Sequence, residues 1–215
     1  MTPFRGFDPV APEFYRGLAA DNSRTYWQAH RDTYEQAVRA PMEALLAEVA
    51  DPFGDAKVFR PHRDVRFSND KSPYKTHLGA FVRTAPATGW YLELAADGLL
   101  TGAGFYHASA DGLAAFRERI DEEGDRLASI VATLREDGWQ IGGECLKKAP
   151  RGWTADHPQI DLLRHKSLSA FRGIEDEVLF SEALVGRVRD DWEALRPLVE
   201  WLSPVLAGTG ERRRR

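Results

Sequence analysis

Hydrophobic positions change their spacing along this chain. Up to Gly54 they recur every three or four residues, the period of an amphipathic helix. Phe14, Tyr15 and Leu18 predict a short first helix that stops near Asp21-Asn22. Trp27, Tyr34, Val38, Leu45 and Val49 then share one face of a longer helix, which Asn22 or Ser23 is placed to cap. Pro41 falls inside this pattern. Proline lacks an amide hydrogen and clashes with the preceding turn, so a break or kink at Ala40 is expected, with Pro41 opening a second segment. Asp51-Pro52-Phe53-Gly54 ends it.

Beyond Gly54 the period shortens. Lys57 to Arg60 is a short strand candidate, and Leu78 to Thr84, Trp90 to Leu94 and Leu99 to His107 read as successive strands. Asp97-Gly98 supplies the positive φ values of a hairpin turn, so these strands predict an antiparallel meander of at least three. Gly102 and Gly104 lie inside the last strand, not between a strand and a helix. Their G-x-G is therefore no dinucleotide fingerprint and implies a bulge or close packing.

After His107 the helical period returns. Ser109 or Asp111 can cap a helix bearing Leu113, Phe116 and Ile120, then Leu127, Ile130, Val131 and Leu134, with Gly124 as a weak point and Gly138 as a stop. Trp139 to Ile141 reads as a short strand, residues 142–158 as a long irregular connection, Gln159 to Lys166 as a short helix, and Ser167 to Arg172 as an extended return to the sheet. Ser181 is placed to cap a helix with Leu184, Val188, Trp192 and Leu195, and Pro197 to open another with Leu198, Val199 and Leu202. The order predicts an α+β fold: an antiparallel sheet packed with N-terminal and C-terminal helices. A single domain over residues 1–207 and a flexible basic tail over 208–215 are expected.

Composition narrows the function classes. With 215 residues and 43% hydrophobic content, the chain can bury a core without a covalent staple. Its single cysteine, Cys145, excludes an internal disulfide, and no run resembles a signal peptide or membrane span, so a cytoplasmic protein with no membrane partner is expected. The net charge of −4 argues against a general nucleic-acid binder. The terminal Glu211 to Arg215 reads as a solvated tail rather than a nucleic-acid arm.

Against this acidic background, Arg60 to His77 packs five Lys or Arg, two Asp and two His into one stretch. Alternation places His62, Asp64 and Arg66 on one side and Arg63, Val65 and Phe67 on the other. A carboxylate between arginines orients a guanidinium and leaves other cations to hold a carboxylate or phosphate. The candidate anion ligands are Arg63, Arg66, Lys71, Ser72, Tyr74 and Lys75, with Ser68 as a further donor. Lys147 comes from a second basic loop that also holds Lys148, Arg151, Trp153, Asp156 and His157, followed by Arg164, His165 and Lys166. Asp64 is the orienting group, and His77 or His157 the proton carrier. Two alternatives remain. In one, the stretch is a structural network of buried ion pairs and function lies in a protein interface; in the weaker one, the basic loops contact nucleic acid.

Other chemistries fare worse. His62, Asp64, His77, Asp156 and His157 match no metal signature, and nearby cations repel a divalent ion, so no metal is assigned. Ser72-Pro73-Tyr74-Lys75 fits S-x-x-K formally, but Pro73 biases Ser72 away from the helix start that motif needs. Cys145 has no CxxC partner. No cofactor is implied.

Three segments, RDVRFSNDKSPYKTHLGAF, ADNSRTYWQAHRDTYE and LKKAPRGWTADHP, resemble the conserved hypothetical family called domain of unknown function 2461, from about Phe7 to Leu206. The resemblance implies a bacterial-type soluble protein and brings no activity, substrate or cofactor. Arg63, Asp64, Arg66, Asp70, Lys71, Ser72, Tyr74, Lys75 and His77 match its strongest motif. Lys147, Pro150, Asp156, His157 and Pro158 match a second, which implies that both line one pocket. Asp21-Asn22-Ser23 departs from the family's paired Asn, and Tyr26-Trp27 from its Trp-Phe.

Overall fold

The helix becomes irregular just before Pro41, where a break or kink was expected. In the computed structural model, which describes residues 3–64, 66 and 70–208, α1 (Val10–Ala20) is followed by α2 (Arg24–Ala29) and α3 (Arg31–Thr33). A π-helical turn, Tyr34–Arg39, then leads directly into α4 (Ala40–Phe53). The Ala40 amide bonds the Glu35 carbonyl, one residue beyond the α-helical partner. The wider turn accommodates the proline ring that a regular turn would force against a carbonyl, and the chain continues without interruption. Tyr34 and Val38 stay in the core.

The strands are β1 (Ala56–Val58), β2 (His77–Ala85), β3 (Thr88–Ala95), β4 (Gly98–Phe105), β5 (Gln140–Gly142) and β6 (Leu168–Ile174). They form one antiparallel sheet in the order β1-β2-β3-β4-β6-β5. The expected meander is its centre, and both short strands read after the long helix extend it. With helices at both termini, the fold is α+β as expected. Gly102 and Gly104 serve close packing. A Cβ on Gly102 would lie 2.7 Å from the Ala170 carbonyl oxygen, and one on Gly104 2.2 Å from that of Leu168.

By its internal contacts the chain divides into two compact units. The first comprises Met1–Val82, Tyr91–Thr101 and Gly173–Asp190; the second, Arg83–Trp90, Gly102–Arg172 and Asp191–Arg215. The first buries Phe14, Tyr15, Trp27, Tyr34 and Leu45 from its helices with Leu78, Leu92 and Leu94 from its strands. It also contains α7 (Asp176–Leu179), a single turn too short to announce itself by periodicity.

In the second unit Ser109 caps α5 (Ala110–Glu136) by accepting from the Gly112 amide. The helix kinks at Glu123, beside the expected weak point. The predicted helix at 159–166 shrinks to α6 (Ile160–Leu163). At the C-terminus a single helix, α8 (Leu184–Ala207), continues through Pro197, correcting the expected pair. Proline inside a helix costs about 3 kcal/mol, but burying one Leu or Val gains about 1.5–3 kcal/mol. Leu195, Leu198, Val199 and Leu202 are all buried around it, so packing carries the helix past the proline. The Ser181 hydroxyl bonds the Val178 carbonyl at 3.0 Å.

The second unit also contains a buried ion pair that the charge pattern did not reveal. Asp191 is 0% exposed and pairs with Arg172, whose guanidinium lies 4.1 Å over the Trp139 ring. Among the described residues, no helix is long and apolar enough to cross a membrane. Removing one partner of a buried pair strands the other charge. Asp191→Ala should therefore lower unfolding free energy by about 3–5 kcal/mol in urea titrations. Glu193→Ala, which removes an exposed Arg196 pair, should leave the midpoint near that of the wild type.

Candidate functional site

The basic stretch is a loop with a clamped root. His62 and Tyr74 face each other in a short antiparallel bridge, with the Arg63 amide on the Pro73 carbonyl at 2.9 Å and the Lys75 amide on the Pro61 carbonyl at 2.8 Å. Ser23 caps α2, which leaves the Asn22 side chain free for another task. Its amide nitrogen donates to the Tyr74 carbonyl at 3.0 Å, and its oxygen accepts the Tyr74 amide at 3.1 Å. Tyr74 is 5% exposed and stacks on Trp27 with ring centroids 4.4 Å apart. The tyrosine read as an anion ligand thus anchors the loop in the core.

Beyond the root, the loop binds its own charges. Asp64 accepts two bonds from the Arg66 guanidinium, at 2.9 and 2.6 Å, and a third from the Arg66 amide. Asp70 pairs with Arg63 at 2.6 Å and takes both the hydroxyl and the amide of Ser72. The Arg66 bonds hold the Asp64 carboxyl well below its usual range, and those from Ser72, followed by the charge of Arg63, lower Asp70. These are not the buried pairs of the network alternative. Arg66 is 75% exposed and Asp64 44%, so solvent screens their attraction. Lys71 is exposed. Val65, Phe67 and Ser68 lie outside the described residues.

The inner end of the loop differs. Lys75 is half-buried, its ammonium 5.2 Å over the Phe59 ring. Burial first, then repulsion from Arg60 and Arg63, lowers its pKa, and Glu93 partly opposes them. The Nε of Arg63 is buried without a hydrogen-bond partner. Beside these cations lies a cluster on β2 and β3. Alternation buries Trp90, Leu92 and Leu94 on one side and turns Tyr91 and Glu93 to the other. A Cβ on Gly79 would lie 2.6 Å from the Tyr91 hydroxyl and 3.1 Å from the Phe59 ring, so the missing side chain leaves room for both over the sheet. The Tyr91 hydroxyl donates to Glu93 Oε2 at 2.5 Å, and His77 Nε2 lies 3.8 Å from that oxygen. Sequence reading missed Tyr91 and Glu93. The available signal was an acidic residue between Leu92 and Leu94 in a strand otherwise rich in apolar and aromatic residues.

This arrangement combines same-sign cations, an imidazole and a carboxylate, the ingredients for holding an anion and exchanging a proton with it. Among the described residues, no group of three or more His, Cys, Asp or Glu is gathered around a common metal position. Compared with known families, residues 11–201 match the model of a conserved hypothetical protein, DUF2461. The chain belongs to the DUF2461 family. No curated protein and no solved structure matches it.

The second motif of this DUF2461 chain belongs to the other unit. Part of the expected irregular loop is ordered. The Leu146 amide bonds the Arg164 carbonyl, the Lys166 amide bonds that of Glu144, and Cys145 faces His165 in a bridge. Burial pushes the Cys145 thiol up, the opposite of an activated nucleophile. Lys147 is exposed. His157 Nδ1 accepts the Gln159 amide at 3.0 Å, which places the ring hydrogen on Nε2, 3.0 Å from Asp121 on α5. The Gln159 side chain reaches Asp125 at 2.7 Å, so the pair grips α5 on either side of its kink. His157 thereby fastens a loop to a helix.

Two substitutions separate root from tip. Asn22→Ala leaves both polar groups of the Tyr74 backbone unpaired and should cost about 1–3 kcal/mol in chemical denaturation. Arg66→Ala, at the exposed tip, should leave Tm within measurement error.

Proposed function

We propose that this DUF2461 protein binds a small anion, a phosphate or a carboxylate, at the inner end of the basic loop. Arg60, Arg63 and Lys75 hold it, and His77 is the group able to pass it a proton. The observation that carries the reading is the half-buried Lys75, whose charge is disfavoured by burial and by its two arginine neighbours. An anion among these cations removes the repulsion. In this reading Asp64 orients Arg66 at the rim, Ser72 and Lys71 belong to the outer loop, and Lys147 and His157 are not required. The protein acts in the cytoplasm.

The Asp64–Arg66 and Asp70–Arg63 pairs favour a second reading for the outer half of the loop alone, a surface that satisfies its own charges and shapes a protein contact.

Thermal unfolding in phosphate against chloride at equal ionic strength tests the first reading. A site filled at a hundred times Kd adds about 2.7 kcal/mol. The wild type should gain Tm saturably, Arg63→Gln and Lys75→Gln should lose the gain, and Arg66→Gln should keep it. An equal response from all four proteins would refute the assignment. The pH dependence has a definite sign. The folded state disfavours protonated Lys75, so the unfolded chain binds more protons between the lowered pKa and the ordinary 10.5, and stability rises with pH in that window. Lys75→Gln should remove that rise from the pH–stability curve.

A further inference from the structure

Glu93 is an odd neighbour for an anion site. A carboxylate among cations weakens their hold on any negative ligand, yet its position is fixed. Tyr91 donates to its Oε2, and burial first, then that hydrogen bond, keeps the phenol protonated. His77 stands 3.8 Å from the same oxygen. The Phe59 ring and the Tyr91 hydroxyl both lie over Gly79, and Lys75 lies over Phe59, so the carboxylate and the ammonium belong to one small neighbourhood. Glu93 Oε1 accepts from no described residue. An ionised carboxylate can only accept hydrogen bonds. Sulfate also only accepts, so beside Glu93 it meets repulsion and no bond. Hydrogen phosphate brings its own O–H and can donate to Oε1 while Arg60, Arg63 and Lys75 take its other oxygens.

Resting on the anion reading above, we infer that Glu93 makes this site select an oxyanion that carries its own proton, with hydrogen phosphate the simplest, over one that does not. The Tyr91 hydroxyl is spent on the other carboxylate oxygen, Oε2. The neutral analogue of Glu93 removes the repulsion without changing the shape. The same chemistry arises from free phosphate or from the singly ionised form of a phosphate monoester. Which of the two occupies the site is decided by room around the fourth oxygen.

Calorimetric titration of the full chain with phosphate and with sulfate, at fixed ionic strength just below neutral pH, tests this. A lost bond to a charged acceptor, together with repulsion, predicts that the wild type binds phosphate about tenfold or more tighter than sulfate. Glu93→Gln should narrow that gap to about threefold or less, chiefly by gaining sulfate affinity, while Tyr91→Phe, which keeps the carboxylate, should retain the preference. Methyl phosphate supplies a comparison that needs no variant. Its affinity relative to phosphate should fall as pH rises through its own second ionisation, because it loses the proton that hydrogen phosphate keeps. At the acid end, methyl phosphate binding as tightly as phosphate assigns a monoester, and weaker binding assigns the free ion. Equal phosphate and sulfate affinities in the wild type, or an undiminished gap in Glu93→Gln, would overturn the role of Glu93 while leaving anion binding intact. Binding of neither anion would remove the anion reading itself, and this inference with it.

Discussion

The Asn22 amide holds the basic loop in place. A side-chain amide that pairs with both the N–H and the C=O of Tyr74 replaces a strand neighbour at the one point where the loop leaves the core. With Tyr74 stacked on Trp27, the loop root is fixed by two hydrogen bonds and a buried ring, and the Arg63 and Lys75 backbones on either side inherit its rigidity. Cations on a loose loop would drift apart and be screened by water. Held at a clamped root they stay close, and their mutual repulsion becomes a property of the fold.

Charge is used differently at each depth. At the exposed tip, Asp64 neutralises Arg66 at little cost or gain, since water already solvates them. Deep in the second unit, Asp191 and Arg172 form a pair that the fold cannot break without stranding a charge. Between these extremes, the inner end of the loop holds more positive than negative groups at half-burial, with Glu93 as a local counterweight. Intermediate burial gives an anion the most to offer: water is too sparse to screen the cations fully, and the site is open enough to be reached.

Much of the fold was legible because periodicity reports burial. The meander, the two short strands after the long helix, the Ser23 and Ser109 caps and the weak point beside Gly124 all follow from local pattern. Pro41 falls where expected, at the opening of α4 after an irregular turn, whereas Pro197 misled. Local rules price the lost hydrogen bond at Pro197 but not the packing that carries α8 past it. The charged stretch stood out as unusual, yet sequence alone gave no depth. It did not reveal that Tyr74 is buried against Trp27 or that both ring nitrogens of His157 are engaged. Tyr91 and Glu93 were invisible as site residues because their neighbours come from other strands and the loop, and only the register of β2 against β3 brings them to His77.

In the proposed anion site, Lys75 occupies a place prepared for negative charge. Its side-chain ammonium can be followed directly by nitrogen-detected NMR through a pH titration, with and without phosphate. Lys75 should titrate below the ordinary lysine range in the free protein, and phosphate should move its midpoint upward. An ordinary lysine midpoint that phosphate leaves unchanged would rule out an anion site at Lys75.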